Sequence, residues 1–137
     1  MSNIRGISKE LPTVLLVEED EVLREDAASE LRAAGLQVVA AMNGDIAMVM
    51  LESGLPADLL LTGIAMPGEL DGPALSRRAR GLRPELKVLY VGAAAAARRH
   101  GGATPVPVSS VLPKSYRPGQ LVAAVTRTLG LCPVTSA

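Results

Sequence analysis

The chain has 137 residues, with 14 Lys and Arg balancing 14 Asp and Glu, 48% hydrophobic residues and no Phe or Trp. That length suits one domain burying roughly 68–70% of its unfolded surface, and the apolar content excludes a disordered chain. Zero net charge and only two aromatics, Tyr90 and Tyr116, exclude a strongly basic or base-stacking nucleic-acid binder, and the apolar runs are too short to cross a membrane.

Residues 1–10 read as a flexible leader, and MSNIRGISKELP lacks the apolar core of a signal peptide, which points to a cytoplasmic protein. Thr13–Val17 (TVLLV) is an apolar strand. Glu21–Ala34 reads as a helix, with Leu23, Ala27, Leu31 and Ala34 at three- and four-residue spacing and Gly35 as its stop. Gln37–Ala40 is a second strand. Asn43 is placed to cap a helix running to about Glu52, with Ile46, Val49 and Met50 expected to face inward. Asp58–Thr62 is a third strand. A helix follows Gly72–Pro73 and runs to about Arg80, with Arg77, Arg78, Arg80 and Arg83 as a solvated face. Lys87–Val91 (KVLYV) is the fourth strand, Ala93–Arg99 a short alanine-rich helix, Ser109–Leu112 the fifth strand and Pro118–Leu129 the last helix, with Leu121, Val122, Val125 and Leu129 inward. His100–Ser110 (HGGATPVPVSS) reads as an irregular connection, because Gly-Gly loosens the backbone and each proline removes a donor. Residues 130–137 form a tail carrying Cys132; it is the single cysteine, so no internal disulfide can form.

Five strands alternating with five helices imply a parallel sheet covered on both faces. Leu59–Gly72 (LLLTGIAMPGELDG) goes further: an apolar strand, a Met-Pro-Gly turn and an Asp-Gly turn. This segment resembles the third strand and following loop of a bacterial response-regulator receiver domain, and the resemblance spans about residues 11–129. It implies a flavodoxin-like, doubly wound five-stranded sheet of order 2-1-3-4-5, with ligands at the carboxyl ends of strands 1 and 3. It also implies a role in two-component phosphorelay signalling.

A working receiver pocket has an acidic pair after strand 1, a phosphoaccepting aspartate after strand 3, a Thr or Ser after strand 4 and a Lys after strand 5, with Mg²⁺ held by the acids. Matched residue by residue, Glu18 and Glu19 stand at the acidic pair, with Glu19 longer than the usual aspartate. Gly63 stands at the acceptor position and has no side chain to carry an acyl phosphate. Gly92 (or Val91, one residue earlier) stands at the hydroxyl position, and Val111 replaces the family's strand-5 aromatic. Lys114 matches the lysine, Ser115 replaces the following proline, which leaves the usual cis peptide there open, and Tyr116 keeps the aromatic. Asp71 reads as a turn residue.

Several parts of one mechanism are absent together. The expected function is therefore a stand-alone pseudo-receiver, not an enzyme, that acts as a phosphorylation-independent protein-interaction module. Its partner would be a histidine kinase, another regulator or a second copy of itself, with no nucleic acid and no membrane. The expected partner face holds Arg98, Arg99, His100, Val111, Tyr116, Arg117 and Arg127. Mg²⁺ binding is expected to be weak or absent, with Glu19 the weak candidate ligand, and Lys114 is expected to pair with Glu19 across the pocket. Two alternatives stand beside this reading: a receiver that uses a non-standard acceptor such as Glu19, and a small-ligand sensor that uses the space above Gly63.

Overall fold

The computed structural model describes residues 11–64, 66, 70–92, 111–114 and 116–131. β1 (Thr13–Val17) is buried along its whole length, the pattern of a strand covered on both faces. α1 (Glu21–Ala33) starts where the Asp20 carboxylate accepts from Leu23 N at 3.0 Å. It ends before Gly35, which adopts φ +94°, a conformation open to glycine without a Cβ penalty. β2 (Gln37–Ala41) leads into α2 (Gly44–Glu52), and the Asn43 side chain accepts from Ile46 N at 2.8 Å. Such a cap contributes about 1 kcal/mol.

β3 (Leu59–Gly63) and α3 (Gly72–Leu82) follow. Asp71 caps α3 by accepting from Ala74 N at 2.9 Å, and Pro73 sits in the first turn. The sequence reading of Asp71 as a plain turn residue thus becomes a specific role, since its carboxylate satisfies an otherwise orphaned helical N–H. β4 (Lys87–Val91), β5 (Val111–Leu112) and α4 (Gln120–Leu129) complete the described elements.

The five strands form one parallel sheet in the order β2-β1-β3-β4-β5. Chain order reverses between β1 and β3, which opens a crevice at their carboxyl ends. Side chains alternate across the sheet. Leu15 and Val17 join Leu60, Leu75 and Tyr90 on the face covered by α2 and α3. Val14 and Leu16 join Leu59, Leu61, Leu31 and Leu121 on the face covered by α1 and α4. Each such Leu or Val contributes roughly 1.5–3 kcal/mol by its burial.

Two expectations change. On α2 it is Gly44, Ala47, Met48 and Leu51 that are buried, whereas Ile46 and Val49 are exposed and Met50 is half-buried. The helix is turned by how closely it meets the chain after β3: a Cβ on Gly44 would lie 2.9 Å from Leu70 Cβ and from Leu70 O. On α1, Leu23 and Ala34 are exposed, while Ala27, Ala28 and Leu31 carry the packing. Four helices are found among the described residues; the expected helix over 93–99, the connection 100–110 and the start of the fifth strand at 109–110 lie outside them.

Candidate functional site

The crevice is built from the four strand ends. Beyond β1, the Glu18 N–H donates to Ala41 O at 3.1 Å, extending the β1–β2 pairing by one step. The half-buried Glu18 carboxylate turns back on its own loop and accepts from Asp20 N at 3.0 Å. Arg24 Nη1 donates to the carbonyls of Glu18 at 2.9 Å and of Glu19 at 3.3 Å. The acidic loop is thus clamped through its backbone, and the Glu19 side chain is exposed.

Beyond β3, Thr62 is buried and its hydroxyl reaches Gly63 O at 3.1 Å and Met66 Sδ at 3.5 Å. Gly63 lies outside the left-handed region, so its backbone conformation does not demand glycine. A Cβ built there would meet Met66 Cγ at 3.4 Å and Sδ at 3.8 Å, ordinary contact distances. The glycine that geometry does require is Gly72. Its N–H donates to Ile64 O at 2.8 Å, and a Cβ on it would fall 2.0 Å from Gly63 O. The first turn of α3 therefore presses against the end of β3.

Beyond β4, the Gly92 N–H donates to Leu112 O at 2.9 Å. A Cβ at Gly92 would meet Ile64 Cδ1 at 3.0 Å. Ile64 is buried and fills the space into which a side chain at position 92 would grow. Met66 lies beside Gly63 at ordinary contact distance and leaves room for a Cβ. Sequence reasoning passed over both residues; the signal was present in two bulky apolar residues within the GIAM turn, where a solvated loop would carry polar ones.

Beyond β5, Lys114 is exposed and Tyr116 is half-buried, while Ser115 and its preceding peptide lie outside the described residues. Burial, and then the negative charges of Glu30, Glu18 and Asp26, push the Tyr116 phenol above its ordinary value. The expected Lys114–Glu19 ion pair is not formed: both side chains are exposed and no ion pair joins them among the described residues. An ammonium in water pays no desolvation and needs no counter-charge, and an exposed pair would contribute only about 0–1 kcal/mol.

Glu18, Gly63 and Lys114 border a cavity of about 280 Å³ that runs between α1 and the start of α4. Glu19 and Gly92 do not border it. Of the expected partner face, Val111 and Tyr116 are half-buried against the two core faces, Arg117 and Arg127 are exposed, and Arg98, Arg99 and His100 lie outside the described residues.

The fit to Mg²⁺ is poor. Among the described residues no three His, Cys, Asp or Glu side chains converge as a metal site. Position 63 offers no carboxylate, and one oxygen of Glu18 is already engaged by Asp20 N.

The Response regulator receiver domain model matches residues 14–126. The chain belongs to the receiver family. It is similar to the response regulator receiver protein CpdR of Brucella abortus (strain 2308), being 34% identical over 116 residues that cover 85% of this chain and 95% of the relative. The crystal structure of a response regulator receiver protein from Sinorhizobium medicae WSM419 superposes with a TM-score of 0.77 at 33% identity, covering 88% of this receiver and 96% of that chain. The receiver domain of the hybrid histidine kinase CckA gives 0.67 at 32% identity, covering 85% and 98%. The sheet order expected from sequence is the order found. Among the described residues no helix of this receiver is long and apolar enough to cross a membrane.

Proposed function

We propose that this receiver works without phosphorylation, as a protein-interaction module in two-component signalling. One observation carries the reading: the position that matches the family's phosphoacceptor is Gly63, with Met66 packed beside it. A glycine offers no oxygen to attack phosphorus. The position matching the signalling hydroxyl is likewise a glycine, and Ile64 occupies the space beside it. A hydroxyl that normally moves to report phosphorylation is replaced in this reading by apolar packing. Function then passes through surfaces, with a histidine kinase, another receiver or a second copy of this chain as the partner class. The similarity to the receiver of a hybrid histidine kinase supports that class.

The test is incubation with acetyl phosphate and Mg²⁺ read by intact mass, beside an NMR titration with beryllofluoride and Mg²⁺. The expected outcome is no phosphoryl adduct and no saturable shifts at Glu19, Gly63 or Lys114. A hydroxylamine-labile adduct mapped to Glu19 would overturn the reading in favour of a non-standard acceptor.

A further inference from the structure

We propose that the cavity between α1, the start of α4 and the carboxyl ends of β1 and β3 binds a small organic cation with an apolar body, of the arylalkylamine class. The inference is independent of whether the receiver takes a phosphoryl group.

The volume, about 280 Å³, falls just below the roughly 300–1,000 Å³ of ligand pockets, which limits the occupant to one ring and a short arm. The inner wall is apolar, with Leu16, Ala27, Leu61, Val91 and Leu121 contributed by five different elements. These are core residues held by sheet and helix packing, so the wall is pre-formed and an apolar body entering it displaces only water.

Charge selects the rest of the ligand. Among the described residues that border the cavity, Glu18, Asp26 and Glu30 stand against Lys114 as the single cation. Glu30 is fixed, because its Oε2 accepts from Gly119 N at 3.1 Å and so joins α1 to the start of α4. The Tyr116 phenol lies within the field of the same three carboxylates and keeps its proton. Its ring face and oxygen lone pairs suit an ammonium. An anion meets three negative charges here. A bare metal ion would meet an apolar wall without a converging ligand set, since among the described residues no three acidic side chains form one. A protonated amine with an aromatic body satisfies both halves of the cavity.

The test is an NMR titration of the full chain with phenethylamine, beside its anionic counterpart phenylacetate. Saturable shifts at Leu23, Ala27, Gly63 and Leu121 at millimolar phenethylamine, with phenylacetate binding about tenfold or more weakly, are expected from the charge balance. Asp26→Asn, an exposed change on the cavity rim, should weaken phenethylamine about three- to tenfold, while Asp45→Asn on α2 leaves it unchanged. Absence of saturable shifts, equal affinity for phenylacetate, or equal weakening by the two variants would each overturn the proposal.

Discussion

Two glycines at one turn have opposite reasons for being glycine. Gly72 is set by contact, because a Cβ there would overlap Gly63 O, whereas Gly63 has an ordinary backbone and room for a Cβ beside Met66. Gly72→Ala should therefore cost about 3 kcal/mol in urea denaturation, and Gly63→Ala should change stability by no more than about 1 kcal/mol. Equal costs would mean that Gly63 is also a packing requirement. A second contrast lies beneath α3. Ser76 Oγ donates to Pro73 O at 3.0 Å and sits 2.7 Å from Tyr90 Oη, both side chains buried. A serine hydroxyl has one proton, so the tyrosine donates in that pair. Ser76→Ala strands the buried phenol and should cost about 1–3 kcal/mol, whereas Tyr90→Phe removes a donor from an already bonded serine and should cost about 0.5–1.5 kcal/mol. In the double variant the excess cost of Ser76→Ala should vanish.

At the scale of elements, α2 shows how a helix can be legible while its buried face is not. Apolar residues occupy positions 46 to 51 almost without a break, so periodicity does not single out one stripe. The close approach of Leu70 to Gly44 chooses it, turning Ala47, Met48 and Leu51 inward. Arg83 reinforces that arrangement from the end of α3 by donating to Leu55 O at 2.6 Å and Leu51 O at 3.3 Å. Met48→Ala should destabilise by about 2–5 kcal/mol. Val49→Lys should stay within about 0.5 kcal/mol. Thermal unfolding of the two variants checks the assignment, and the reverse order would restore the face expected from sequence.

At the scale of the whole molecule, Tyr116, on the segment before α4 and facing α1, ties stability to pH at the alkaline end. Tyr116 holds its proton above 10.0 in the folded state, through burial and the field of Glu30, Glu18 and Asp26. As pH rises past 10.0 the unfolded chain loses that proton first, so it binds fewer protons than the folded chain and stability falls. Below that pH the residue is neutral in both states and contributes no slope. The urea midpoint of the parent should thus fall more steeply than that of Tyr116→Phe above about pH 10, with the two curves parallel below about pH 9. A parallel course at all pH values would remove Tyr116 from the carboxylate field and weaken the electrostatic argument for the cavity.

Much of this receiver was determined by sequence alone. The strands TVLLV, LLLT and KVLYV are short apolar runs between turn residues, their alternation with helices dictates a parallel sheet, and the absence of a side chain at Gly63 is read directly from the chain. The identity of each strand-end residue followed, because the topology places every strand end on one edge of the sheet. What tertiary structure decided was direction and distance. Lys114 and Glu19 share that edge yet remain apart, since both reach water and neither gains by pairing. Met66 and Ile64, which sequence reasoning gave no part in the site, lie beside Gly63 and Gly92. Side-chain type is written in the chain, but the occupant of an empty position is chosen by whichever neighbour the packing brings within van der Waals reach.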